Sequence, residues 1–301
     1  MGIIKRCVKR LVPELQPYLT AMLQTGYSAM TIRTSLTSLR AQSLLASERA
    51  RDPKRLPAYG FKGYSQNDED GILQEIFRRI NATRQTFVEV GAGSGTQNNT
   101  LYLLLSGWRG LWIECDARLV SSINNALAAY IESGHLVVRQ AFVERDNIDS
   151  IIRGGGFDGE IDLLSIDIDG NDYWVWKEIA AVNPRVVTIE YNATFRPPVS
   201  VVMDYGKEHR WDRTNYFGAS LKALEGLGRQ KGYALVGCCL AGVNAFFVRE
   251  DLVQDRFCSP FTAENHYEPP RYSLFGARPD EDVHPSGVGV YKRVEHDSER
   301  E

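Results

Sequence analysis

From residue 66 onward the chain alternates between two periodicities. "DEDGILQEIFRRI" (68–80) spaces its apolar residues three and four apart, as an amphipathic helix does. "TFVEV" (86–90) is a short β-rich run that ends in glycines, and "NNTLYLLLSG" (98–107) reads as a helix. The alternation continues with strand "GLWIEC" (110–115), helix "LVSSINNALAAYIESG" (119–134), strand "HLVVRQAFV" (135–143) and helix "NIDSIIRGG" (147–155). Strand "IDLLSID" (161–167), helix "YWVWKEIAAV" (173–182) and strand "RVVTIEY" (185–191) complete it. Strands and helices alternating at these lengths predict an α/β fold, with a parallel sheet covered on both faces.

The ending breaks the rhythm. After the helix "GASLKALEGLGRQKG" (218–232), the runs "YALVGC" (233–238) and "VNAFFVR" (243–249) are joined only by "CLAG". So short a link cannot carry a parallel crossover, so these two strands form an antiparallel hairpin. The expected sheet has seven strands, mostly parallel, with an antiparallel last strand.

The flanks differ from this body. Residues 8–48 have helical composition and predict two or three short helices, interrupted near Pro17 and Gly26. Residues 1–57 carry a net charge of +7 within a chain of -3, leaving -10 for the rest. The expected division is a basic helical extension over 1–57, a main domain over 58–256, and an irregular, proline-rich tail over 257–301. The acidic body offers nucleic acid no favourable field. The basic extension is read either as a contact for an anionic partner or membrane surface, or as a solvated helical face.

Composition narrows the class. With 43% hydrophobic and 24% charged residues, the sequence predicts a soluble globular protein with a sizeable core. No apolar run approaches the roughly 18–20 residues that span a bilayer. The first residues lack the apolar core of a secretory signal, and Arg6 spoils a myristoylation pattern at Gly2. Five irregularly spaced cysteines (7, 115, 238, 239 and 258) predict neither a zinc site nor a disulfide framework, so a reducing cytoplasm is expected.

The loop after the first strand, "FVEVGAGSGTQNNT", sets Glu89 before Gly91, Gly93 and Gly95. Glycines there let the backbone turn tightly and approach a ligand. The dinucleotide pattern G-x-G-x-x-G fails at Thr96. Glu89 argues further against a pyrophosphate, which a carboxylate repels, and suits a cation such as an amino group. Asn99 is placed with this cofactor-binding set. Glu114, at the end of the second strand, can accept hydrogen bonds from both hydroxyls of a ribose, with Asp116 as the fallback.

The residues "YSQNDEDGIL", "VEVGAGSG", "WIECD" and "LLSIDIDG" carry a resemblance. From about 64 to 249 the chain resembles class I S-adenosylmethionine-dependent methyltransferases, and within them the FkbM-type group. The resemblance implies a Rossmann-like methyltransferase sheet, S-adenosylmethionine as cofactor, and O-methylation of a sugar, glycan or glycosylated metabolite. It also implies that Phe142 lies beside the adenine. The commoner FkbM wording has a carboxylate-x-G-A-N-x-G loop and I-D-V-E-G at the fourth strand. This chain has a glycine-richer loop and "IDIDG". The competing readings are an NAD-dependent oxidoreductase and a non-catalytic scaffold that keeps the fold.

In an open α/β sheet, ligands bind beyond the carboxyl ends of the strands. Asp167 and Asp169 end the fourth strand, and Glu190 and Asn192 end the fifth, with adjacent strands about 4.8 Å apart. Asp167 is expected near the cofactor. Asp169, Glu190 and Asn192 form a candidate oxygen-ligand set for Mg²⁺ or Ca²⁺. Alternatively Asp169, Glu190 or His209 is a metal-free general base. An EF-hand over "DIDGND" is excluded, because Asp172 stands where its turn glycine belongs. Asp172 is expected to cap a helix starting at Tyr173. Tyr205, Trp211 and Tyr216 are candidates for a sugar-stacking wall.

Overall fold

The computed structural model describes residues 31–32, 34–275 and 282–295. The expected helices ahead of residue 31 lie outside that range. The chain divides into two units, Met1–Leu44 and Leu45–Glu301. Among the described residues, 31–32 and 34–45 are helical and are labelled α1. The division falls ahead of the boundary expected at residue 57. Leu56 is the physical reason: it is fully buried in the core of the larger unit, against Gly237.

The larger unit holds strands β1 (Thr86–Val90), β2 (Arg109–Glu114), β3 (Leu136–Gln140), β4 (Gly159–Ile166) and β5 (Val182–Glu190). They are followed by β6 (Val201–Met203), β7 (Tyr233–Cys238), β8 (Asn244–Arg249) and β9 (Tyr291–Arg293). Its helices are α2 (Glu69–Ile80), α3 (Leu101–Leu105), α4 (Ala117–Ala126), α5 (Ala128–Glu132) and α6 (Ile148–Gly154). After these come α7 (Asp172–Glu178), α8 (Leu221–Gln230), α9 (Glu250–Val253) and α10 (Ala263–His266).

The main sheet runs β3-β2-β1-β4-β5-β8-β7. The first five strands are mutually parallel, and β8 is antiparallel to both of its neighbours. This is the mostly parallel seven-stranded sheet expected from the alternation and the "CLAG" hairpin, and it matches the Rossmann-like methyltransferase sheet that the resemblance implied. Insertion of β8 between β5 and β7 makes it the one reversed strand.

Strand register sorts the core into two layers, because side chains alternate along a strand. Phe87, Leu163 and Val186 align across β1, β4 and β5 and face one helical layer, with Ile72, Leu73 and Ile76 of α2. Val88, Leu164 and Val187 are one residue on and face the other layer, with Ile152, Trp176 and Leu224. Full burial of each such side chain is worth roughly 1.5–3 kcal/mol.

Two expected helices are shorter than their sequence runs. The run 119–134 breaks at Leu127 into α4 and α5, and only Leu101–Leu105 of the run 98–107 is helical. The residues ahead of Leu101 are drawn into hydrogen bonds with Glu89 instead. The tail is less irregular than expected: Tyr291–Arg293 pairs with Val201–Met203 as a small antiparallel sheet.

Candidate active site

The sheet's parallel strands all point their carboxyl ends at one cleft of about 420 Å³, within the range of small-molecule sites. The loop after β1 forms its floor. Gly91 has φ +88°, and a Cβ there would sit 1.7 Å from the carbonyl oxygen of Asp167. Only glycine lets the ends of β1 and β4 come this close. At Gly93, φ is +57° and a Cβ would meet nothing, so its missing side chain leaves open space over the loop.

Glu89 sits below that floor, almost wholly buried. Its oxygens accept from the Asn99 N–H (2.9 Å), Asn98 Nδ2 (2.6 Å) and Thr100 Oγ1 (2.5 Å). Trp112 Nε1 donates in turn to Thr100 Oγ1 at 2.7 Å. Asn99 is held by its side chain on Ser165 Oγ as well. This network fixes the loop. Burial nevertheless pushes the Glu89 carboxyl up to about 7, above its ordinary 4.5.

Glu114 closes the loop from β2. One oxygen accepts from the Gly93 N–H and the other from the Asp116 N–H, each at 2.8 Å. The fallback Asp116 is committed elsewhere: it caps α4 by accepting from the Arg118 N–H. Phe142 lies on the same cleft, with the Arg210 guanidinium 5.5 Å from its ring centre.

Asp167, Asp169 and Glu190 converge on the far side. Each has an oxygen within 4.8 Å of the others. Burial, then the charges of Asp169, Asp172 and Glu89, hold the Asp167 carboxyl well above the usual range. Asn192 does not join them, which corrects its expected role as a metal ligand. It is fully buried, its Nδ2 donates to the Asn215 and Phe217 carbonyls and to the Tyr291 hydroxyl, and its Oδ1 accepts from the Thr194 N–H. Its amide ties the loop after β5 to the tail.

Asp172 is corrected too. The helix begins at Asp172 itself, and its carboxylate accepts from the Ile168 and Gly170 N–H groups, both at 2.8 Å. It braces the turn that carries Asp169, whose φ is +55°, instead of capping Tyr173. Burial raises the Asp172 carboxyl, which matches an oxygen pair enclosed by the turn.

His209 reaches the cleft and lies over Gly170, where a Cβ would be 2.4 Å from its Cδ2. Its Nε2 is buried without a hydrogen-bond partner. Of the three aromatics expected as a wall, Trp211 lines the cleft, whereas Tyr205 packs on Trp174 and Tyr216 on Tyr291. Phe217, Tyr272 and His284 complete the wall. The His284 ring stacks on Tyr272 at 4.4 Å and lies 5.0 Å from Trp211. Tyr272 and His284 come from the tail, where no periodicity marked them. Asn67 and Asn244 were also missed; Asn67 stands in the "QND" ahead of α2, a polar cluster beside a helix start.

No protein-family model matches the sequence. No curated protein matches it. Solved structures do match. The N-terminal domain of EvdMO1 with SAH bound is similar at 14% identity and TM-score 0.40, over 72% of this chain and 94% of that one. A putative caffeoyl-CoA O-methyltransferase from Staphylococcus aureus is similar at 14% identity and TM-score 0.40, over 60% and 82%. An O-methyltransferase from Bacillus cereus in complex with SAH is similar at 16% identity and TM-score 0.33, over 54% of this chain and 66% of that one. At these identities and scores, the fold rests on the strand order itself.

Proposed function

We propose that the chain is an S-adenosylmethionine-dependent O-methyltransferase of the FkbM type, acting on a hydroxyl of a sugar, glycan or glycosylated metabolite. One observation carries the choice of cofactor. Among the described residues, the cleft is lined by four carboxylates, Glu114, Asp167, Asp169 and Glu190, and by no lysine or arginine. Such a wall favours a sulfonium and an ammonium and repels a pyrophosphate. That separates this reading from an NAD-dependent oxidoreductase.

S-adenosylmethionine supplies an electrophilic methyl group when bound. The protein's part is to bind, aim and deprotonate. Gly91, Gly93 and Gly95 clear the backbone for the cofactor, with Asn99 and Glu89 fixing the loop; Glu114 takes the ribose hydroxyls, and Phe142 flanks the adenine. The aromatic wall of Trp211, Phe217 and Tyr272 holds a sugar face, bringing the acceptor oxygen in line with the methyl group. The hydroxyl proton of the acceptor would pass to His209 Nε2 or to a carboxylate of Asp169 or Glu190.

A second reading of the same carboxylates is supported by their spacing. Asp167, Asp169 and Glu190 offer three oxygens close enough for one hard cation such as Mg²⁺. An ion there would hold vicinal hydroxyls and lower the pKa of one. Activity undiminished by EDTA would remove this reading.

The cofactor assignment is tested by calorimetry on the full chain. S-adenosylhomocysteine should bind and NAD should not; the reverse order would overturn the proposal. Among the described residues no helix is long and apolar enough to cross a membrane. Contact of the basic N-terminal segment with an anionic membrane surface is part of this proposal, and vesicle co-sedimentation tests it.

A further inference from the structure

Glu69, buried at the start of α2, holds two side-chain amides by the same end. Its Oε1 accepts from Asn67 Nδ2 at 3.1 Å and from Asn244 Nδ2 at 3.0 Å, while Oε2 accepts from the Asn67 N–H at 2.8 Å. A carboxylate only accepts, so both amides must turn their NH₂ groups to Glu69 and present their carbonyl oxygens the other way. Asn98 is oriented likewise, with Nδ2 on Glu89. All three asparagines are more than nine-tenths buried, and none of their Oδ1 atoms meets a donor among the described residues. Unmet buried acceptors are costly, and three on residues that line adjoining hollows call for a donor from a ligand.

All three asparagines line adjoining hollows. Asn98 and Asn244 line a recess of about 100 Å³ that adjoins the main cleft at Gly91, Gly93 and Asp167; Asn67 lines the cleft beside it. The recess wall also carries the carboxylates of Glu89 and Asp167. Three carbonyl acceptors with two carboxylates match a compact cation that carries several N–H groups, which is a primary ammonium.

We propose that Glu69, acting through Asn67 and Asn244, builds a receptor for the α-ammonium group at the amino-acid end of the cofactor, completed by Asn98. The proposal rests on the S-adenosylmethionine reading. Glu69 is a positioning residue: it touches the amides and leaves the ligand to them. This gives a role to the "QNDE" segment, which lies far in sequence from the glycine loop. It also assigns one to the first residue of the reversed strand β8.

Paired calorimetry on the full chain tests it, with S-adenosylhomocysteine and with 5′-methylthioadenosine, which lacks the amino-acid end. Asn244→Ala should weaken S-adenosylhomocysteine by at least about tenfold, the scale of one hydrogen bond to a charged group, and leave methylthioadenosine unchanged. Glu69→Gln should show the same selective loss, since a glutamine must set its NH₂ against either the Asn67 N–H or both side-chain amides. Should Asn244→Ala fail to melt cooperatively, Asn67→Ala carries the same comparison. Parallel loss of both ligands, or no loss of either, overturns the receptor. Failure of the unmutated chain to bind S-adenosylhomocysteine would remove the cofactor reading itself, a distinguishable result.

Discussion

The Gly93 N–H donates to the Glu114 carboxylate at 2.8 Å, so the tip of the loop after β1 is tied to the end of β2. The bond uses a backbone donor that only a tight turn exposes, and it aligns Glu114 at the cleft edge. Glu114→Ala should lose both this tie and the acceptor for the ribose. We expect S-adenosylhomocysteine affinity to fall by roughly ten- to a hundredfold, with Glu114→Gln in between. Calorimetry on the three proteins measures it, and equal affinities would remove the ribose role.

Two neighbouring glycines should separate stability from binding. Gly91→Ala forces a Cβ to within 1.7 Å of the Asp167 carbonyl oxygen at a positive φ, so β1 and β4 must part. A lowered melting temperature is expected even without ligand. A Cβ at Gly93 would meet nothing within 4 Å, so Gly93→Arg incurs at the backbone mainly the left-handed cost of about 1–2 kcal/mol. Its side chain occupies the cleft, so the variant should fold, fail to bind S-adenosylhomocysteine and lose activity. A biological role that survives Gly93→Arg would favour the scaffold reading.

The residues at the ends of β4 and β5 divide in the same way. Asn192→Ala removes one of the two donors to the Asn215 and Phe217 carbonyls, leaving them the Tyr291 hydroxyl, and takes the acceptor from the Thr194 N–H, which should cost about 1–3 kcal/mol in all. Denaturant melts should record that loss. Asp169 is exposed, so Asp169→Asn should leave stability unchanged and lower kcat. Unfolding by Asp169→Asn, or a stable Asn192→Ala, would contradict this division.

The difference between Asn192 and Asp169 shows what one-dimensional pattern carries. Strand and helix order was legible because alternation of apolar residues is local, and the hairpin because "CLAG" is too short for a crossover. The tight turns of the glycine loop and the place of Glu114 at the end of β2 were legible because both follow from position after a strand. Asn192 and Asp172 were not: each carboxamide or carboxylate is claimed by groups that only the folded loops bring near. The tail was least legible. Tyr272 and His284 line the cleft through ring contacts, His284 with Trp211 and Tyr272 with His284, that leave no periodic trace, and Asn244 was hidden inside a strand that reads as wholly structural.

Stability should depend on pH with a defined sign. Burial raises Glu89 to about 7 and, with the charge of Glu69 adding to it, Asp68 to about 8, from ordinary values of 4.5 and 3.8. The folded chain therefore keeps protons that the unfolded chain has already released. The stability these groups contribute is full below their ordinary values and is lost as pH rises through 7 and 8. The melting temperature of the ligand-free chain should fall between pH 5 and 8.5. Glu89→Gln should lower the baseline and flatten the part of the decline near 7. Affinity for the cationic amino-acid end should rise over the same interval as Glu89 ionises, so the stabilisation by S-adenosylhomocysteine should be larger at pH 8 than at pH 5.5.

The choice of base can be made without touching the base. Gly170 supports the His209 ring: an added Cβ would lie 2.4 Å from Cδ2 and 2.8 Å from Nε2, so the imidazole must move. Gly170 lies in the same turn that Asp172 braces, and its φ is not in the left-handed region, so alanine brings little backbone strain. Gly170→Ala should therefore fold, bind S-adenosylhomocysteine as before, and lose at least about tenfold in kcat by misaligning the proton acceptor. His209→Gln should lose roughly 10²–10⁴-fold, the range of a general base, again with cofactor affinity intact. If both variants keep full kcat while Glu190→Gln loses it, the proton goes to the carboxylate pair and His209 only shapes the acceptor pocket. If Gly170→Ala and His209→Gln fall together, the imidazole Nε2, which meets no hydrogen-bond partner among the described residues, is the atom that receives the hydroxyl proton.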